Sequence, residues 1–301
     1  MTHDEKPTVA VLGPGGIGGL LAGLLSRAGH RVICLAGDGT AAALRASGIR
    51  VRSGLFGDFT AAVETDTELR VPVDVCLVAV KQTALEAALD RVPPAALGDA
   101  LLVPFLNGVE HPATLRARYR EDVVAPAVIR VESTRVAPGE IVHGSPFAEI
   151  DLTGDGVAKE RLEALADALG SAGPTTRVLP DETAALWAKM SFLAPLALLT
   201  TRYALPLGDV RTRHREELTA LVEETAAVSR ASGAPADPAQ ALARYDAFPA
   251  TTRSSMQRDA EAGRPLELDA IGDALLRAAA RHGVPVPVAT RLVRELRNAG
   301  H

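Results

Sequence analysis

The chain has 301 residues, 47% of them hydrophobic and 23% charged, with 32 basic against 37 acidic side chains and a formal net charge of −5. This ordinary globular composition excludes long disorder, provides for two domains, and argues against a basic face for nucleic acid. Two cysteines make no disulfide framework, and the seven histidines show no ligand spacing with cysteines or acids, so no metal is expected.

Residues 8–12 read as a short buried strand and residues 18–28 as a helix closed by Gly29. A second strand is expected over 31–35, then a helix over about 40–47 closed by Gly48. Residues 73–80 read as a third, almost wholly apolar strand, with two more at 101–106 and 123–129. Continuous apolar runs suit a parallel sheet covered on both faces. Residues 135–152 have hairpin character with Pro138-Gly139 as the turn, followed by a helix over 159–169 and a strand near 176–179. The character changes at Pro180-Asp181, where Asp181 suits the N-cap of a helix running to about residue 200. Helices follow at about 209–232, 238–247, 252–262, 267–282 and 287–299, with no convincing strand among them.

The reading is an α/β chain in two domains. Residues 1–180 form a doubly wound parallel sheet and residues 181–301 an all-helical domain that carries the substrate and catalytic groups. The start, Met1-Thr2-His3-Asp4-Glu5-Lys6-Pro7, lacks the basic-then-apolar pattern of a signal peptide. The best apolar run, 184–199, contains Trp187 and Pro195 and is interrupted by Lys189, so it reads as too short and polar to span a membrane. Cys34 and Cys76 lie in strand-like runs and read as buried thiols in a reducing cytoplasm.

Gly13-Pro14-Gly15-Gly16-Ile17-Gly18 follows the first strand and opens the first helix. This is the dinucleotide-binding pattern of a Rossmann domain in its required context. Gly13 permits the turn, Gly15 lets the backbone approach the pyrophosphate, and Gly18 lets helix and sheet pack closely. The helix N-terminus supplies free N–H groups and the positive end of its dipole. The end of the second strand should read the adenosine ribose, and Asp38 lies about 20 residues beyond Gly18. An aspartate there favours the 2′-hydroxyl of NAD over the 2′-phosphate of NADP; Asp38 is equally placed to cap the next helix.

Several segments keep the order of a known family. The glycine loop, Val78-Ala79-Val80-Lys81-Gln82, Leu106-Asn107-Gly108-Val109-Glu110, Leu186-Trp187-Ala188-Lys189, Ser254-Ser255-Met256, and Glu267 with His282-Gly283-Val284-Pro285-Val286-Pro287 resemble the ketopantoate reductase family over nearly the whole chain. The resemblance implies hydride transfer from NADPH to a 2-oxo acid, with Lys189 as general acid. It implies that Glu267 and Ser255 work on the substrate side, and that Asn107 and Lys81 bind the nicotinamide cofactor and help to position the substrate. The chemistry agrees: reducing a ketone leaves charge on oxygen, so a proton donor is needed there. Lys189 stands among Trp187, Met190, Phe192 and Leu193, where burial would lower its pKa. A lysine snorkelling to solvent is the plain alternative. Lys81 and Asn107 follow strands at the edge where ligands bind in open α/β sheets, although a solvated loop and ordinary turn chemistry also account for them.

The chain departs from the family where substrate is read. Family asparagines four and eight residues after the lysine are here Leu193 and Ala197. The asparagine near the following glycine is here Leu207, and the one three residues before Ser255 is Thr252. Each lost buried hydrogen-bond partner costs about 1–3 kcal/mol, whereas Leu193 and Ala197 favour an apolar substrate tail. Gly37 stands where many members carry an arginine for the 2′-phosphate, so NADP and NAD both remain open. The expected activity is NAD(P)H-dependent reduction of a small 2-oxo acid, with ketopantoate as the family default. The alternatives are a 2-hydroxy-acid dehydrogenase or specialised ketone reductase with a more apolar substrate and, more distantly, a non-catalytic dinucleotide sensor. The helical half is a possible homodimer interface; neither nucleic acid nor membrane is an expected partner.

Overall fold

The computed structural model describes residues 6–299. They divide into two compact units: one comprises residues up to Leu106 together with His111–Glu182, the other Asn107–Glu110 together with the chain from Thr183 onward.

The first unit is built on five parallel strands, β1 (Val9–Leu12), β2 (Val32–Leu35), β5 (Glu64–Asp66), β6 (Val75–Val78) and β7 (Leu101–Pro104), in the order β5-β2-β1-β6-β7. All four residues of β1, β2, β6 and β7 are buried, which is why the sequence shows apolar runs rather than alternation. Helices α1 (Gly16–Arg27) and α2 (Asp38–Ser47) follow β1 and β2, and the short α3 (Leu85–Leu89) and α4 (Pro94–Leu97) follow β6. The strand order reverses beyond β1, and the carboxyl ends of β1 and β6 meet at that switch point, where such sheets bind ligands.

Two smaller sheets complete the unit. Strands β4 (Phe59–Ala61), β3 (Ile49–Ser53), β10 (Glu140–His143) and β9 (Ser133–Ala137) form one, with Pro138-Gly139 turning β9 into β10. Strands β12 (Thr175–Val178), β11 (Glu149–Leu152) and β8 (Ala127–Arg130) form the other. The expectations need correction here. The hairpin ends at His143 rather than running to 152, because β11 leaves to pair with β8 and β12. The strand expected over 123–129 does not extend the parallel sheet. Val124 makes one bridge to Leu102, and β8 then starts the third sheet. Strands β3, β4 and β5 had no counterpart in the reading; β3 alternates Ile49 and Val51 inward with Arg50 and Arg52 outward. Helix α5 (His111–Arg116) and α6 (Lys159–Ser171) belong to this unit, where Arg116 holds the carboxylate of Glu182 with bonds of 2.7 and 2.6 Å.

The second unit is helical. Its centre is α7 (Glu182–Tyr203), followed by α8 (Leu207–Arg213), α9 (Arg215–Ala231), α10 (Pro238–Ala247), α11 (Ser255–Glu261), α12 (Ala274–His282) and α13 (Pro287–Asn298). The helix expected over 209–232 is two helices, broken at His214, whose φ of −129° is non-helical. Five residues of π-helix, Asp269–Asp273, lead into α12. By length and composition α7 is apolar enough to cross a membrane, but 61% of its most apolar window is buried within the protein. Trp187, Met190, Ala194 and Leu196 to Leu199 pack into one core with Leu218, Leu221, Ile271 and Leu292, as in a helix apolar on all sides at the centre of a bundle.

Candidate active site

The glycine loop lies between β1 and α1 in the first unit. Gly13 has φ +84°, which favours glycine, and its N–H bonds Leu35 O at 3.1 Å, tying the turn to the end of β2. A Cβ on Gly18 would lie 2.2 Å from Gly13 O, and one on Gly16 2.3 Å from Ser133 O. Side chains are therefore excluded at both positions by backbone. Gly15 differs, because a Cβ there would meet only Gly13 O, at 4.0 Å. Gly15 is also the N-cap of α1, with no side-chain cap bond and no acidic residue in the first turn. The space over Gly15 and the uncapped N–H groups beyond it fit a pyrophosphate held by backbone and helix dipole. Pro14 and Ile17 lie within this loop, half-buried or deeper. Ser133, which carries no local sequence signal, donates to Gly16 O at 2.7 Å and braces the loop from β9.

Asp38 is exposed as the first residue of α2; the N-cap is Gly37, with no side-chain cap bond. Lys81 is exposed just beyond β6, as the residue before a short 3-10 turn at Gln82–Ala84.

In the second unit the structure joins residues far apart in sequence. Asn107 Nδ2 donates to Glu267 Oε2 at 3.0 Å, and Glu267 is buried. The next residue, Gly108, has φ +91°, and a Cβ on it would lie 2.5 Å from Ala270 O. Glu110 accepts from Arg277 at 2.6 Å. The segment 107–110 is thus seated on the helix start at Glu267 and its π turn, a type of irregularity that recurs at functional sites. Neither Glu110–Arg277 nor the π turn carries a local sequence signal.

On α7, Lys189 and Leu193 are half-buried and Ala197 is fully buried, spaced four residues apart along one face. Ser255 is exposed at the start of α11. The cap itself is the preceding Ser254, whose Oγ accepts from Gln257 N at 3.0 Å and shares a hydrogen bond of 2.8 Å with Thr200 Oγ1 of α7. Ser254 therefore fixes where Ser255 stands, a division of labour not visible in the paired serines.

Comparisons with known proteins extend over both units. Residues 9–152 match the family model described as Ketopantoate reductase PanE/ApbA, and residues 181–299 match Ketopantoate reductase PanE/ApbA C terminal. The chain is 29% identical to a 2-dehydropantoate 2-reductase of Caulobacter vibrioides over 97% of this chain and 98% of that one. The crystal structure of a 2-dehydropantoate 2-reductase from Geobacter metallireducens superposes with a TM-score of 0.89 at 27% identity, covering 97% and 99% of the two chains. A ternary structure of D-mandelate dehydrogenase with NADH and anilino(oxo)acetate shares the fold, with a TM-score of 0.88 at 18% identity and 97% of each chain covered. With both units matched and relatives aligned end to end, this chain belongs to the ketopantoate reductase family and is an NAD(P)-dependent oxidoreductase acting at the CH–OH/C=O level on a small keto acid.

Proposed function

We propose that the protein reduces ketopantoate or a close 2-oxo acid, with residues 1–180 as the cofactor domain and 181–301 as the substrate and catalytic domain. The observation that carries the reading is the Asn107–Glu267 hydrogen bond. It places a residue from the end of β7 in the helical unit that also bears Lys189.

The reduced nicotinamide supplies the hydride. The chain's part is to hold the pyrophosphate on Gly13, Pro14, Gly15, Gly16, Ile17 and Gly18, to orient the nicotinamide end with Lys81 and Asn107, and to deliver a proton. Negative charge grows on the carbonyl oxygen, and Lys189 Nζ donates to it, neutralising the alkoxide as it forms. Glu267 fixes the amide of Asn107 on the substrate side, with Ser255 at its margin. Replacing Lys189 by alanine is expected to lower kcat by about 100-fold or more, while NADPH binding, followed by fluorescence, persists. Turnover near wild type with cofactor bound would remove Lys189 from the proton-donor role.

Leu193 and Ala197 favour a second reading, in which the substrate carries an apolar group. Ala197, fully buried, acts there by setting the packing behind Leu193. The D-mandelate dehydrogenase neighbour, whose structure holds NADH and anilino(oxo)acetate, supports this reading. Rates with ketopantoate and with phenylglyoxylate, each with NADPH and NADH, separate the two. We also propose a cytoplasmic location, consistent with two buried free thiols, and a homodimer through the helical unit.

A further inference from the structure

The end of β2 continues through Ala36 to Gly37, the position from which the adenosine ribose of a dinucleotide is read. Gly37 offers no side chain, but a guanidinium reaches it from elsewhere in the same unit. Arg91, between α3 and α4, donates from Nη1 to Thr67 O at 2.6 Å and to Ala36 O at 3.3 Å. Its own carbonyl accepts from Leu69 N at 2.7 Å, so backbone and side chain are both held. A Cβ on Gly37 would lie 3.9 Å from Arg91 Nη2, in ordinary van der Waals contact. The guanidinium therefore stands beside the place where a side chain at position 37 would begin.

Arg91, like Arg27 and Arg161, bonds backbone carbonyls rather than an acid, unlike three other arginines of this unit. Arg31 pairs with Glu64, Arg70 with Asp66 and Glu68, and Arg120 with Asp99 and Asp122. Arg91 is half-buried, makes no ion pair among the described residues, and keeps Nε and Nη2 clear of hydrogen bonds. A rigid, unneutralised guanidinium with part of its fork uncommitted is suited to a phosphate. The carboxylate next to Gly37, Asp38, is exposed and makes no side-chain hydrogen bond among the described residues, and Asp90, next to Arg91, pairs with Arg118, so solvent screens Asp38 more than Arg91 is screened.

We infer that Arg91 is the contact for the 2′-phosphate and biases this protein toward NADPH, replacing from another element the cation that Gly37 lacks. The inference rests on the dinucleotide reading above and goes beyond it in naming the residue that selects the cofactor. Asp38 works against Arg91 and keeps the preference moderate.

The test is binding, measured without substrate. NADPH and NADH are titrated by fluorescence against the full chain, its Arg91→Met and Arg91→Lys variants, and Asp38→Asn, with Tm recorded for each. Arg91→Met is expected to lower the NADPH-to-NADH affinity ratio by about 10- to 100-fold, the range for a lost hydrogen bond to a charged group. Arg91→Lys should keep an intermediate ratio and Asp38→Asn should raise it. An unchanged ratio in Arg91→Met overturns the inference, including the case in which both affinities and the Tm fall together because Arg91 only ties β2 to residue 67. If the wild-type chain binds neither cofactor, the dinucleotide reading itself fails.

Discussion

The glycines of the loop have separable duties. Gly18→Ala forces a Cβ to within 2.2 Å of Gly13 O, and overpacking of this kind costs about 1–3 kcal/mol. Gly15→Ala meets nothing closer than 4.0 Å at an extended backbone angle that alanine adopts. The expected result is a lowered Tm for Gly18→Ala, against a near wild-type Tm with much weakened NADPH binding for Gly15→Ala. A fall in both Tm values alike would mean that the loop is only structural. His30 supplies a pH effect. Burial holds its imidazole below the ordinary value of 6.5, opposed by the contact with Pro7 O at 3.2 Å. The unfolded chain therefore takes up the proton first as pH falls through 6.5, and stability drops from there down to the folded value. His30→Gln should lose less Tm than wild type between pH 7.5 and about 5.5, a comparison made by scanning calorimetry.

Among the helices, caps and breaks do most of the shaping. Asp237 Oδ1 accepts from Ala239 N at 2.9 Å and Gln240 N at 3.4 Å, and Pro238 at the first helical position sets the entry of α10. Asp237→Ala should cost about 1 kcal/mol in urea unfolding, with catalysis unaffected. Pro195 sits inside α7 and denies Ser191 O its usual partner. The buried phenol of Tyr245 donates to Phe192 O one residue on, and the Phe192 and Tyr245 rings stack at 4.5 Å. The break at His214 had no proline or glycine to announce it. Strands β4 and β5 have three residues each, and β3 carries two outward arginines among its five, so none stood out before its partners were known.

In the whole molecule, two compact units, each with its own buried core, imply separable responses to ligand. A cofactor held by the glycine loop at about 100 times its Kd should stabilise the first unit by about 2.7 kcal/mol. Calorimetry should show the transition of that unit rising further with NADPH than that of the helical unit, which meets the cofactor only through Asn107. One transition shifting as a whole would instead mean that the two units unfold together.

The glycine loop, the apolar parallel strands, the helical second half and the candidate lysine on α7 are legible along the chain. Each of these is a local pattern whose physics acts within a few residues: periodicity, a turn that admits only glycine, a charge on an apolar helix. Tertiary structure alone decided that Asn107–Glu110 joins the helical unit, through pairings 160 and 167 residues apart. It likewise decided that Ser254 is the cap while Ser255 is left exposed, and that Arg91 comes to rest beside Gly37. Such pairings depend on which carbonyls and carboxylates the packed backbone leaves to be satisfied. No spacing along the chain encodes that choice.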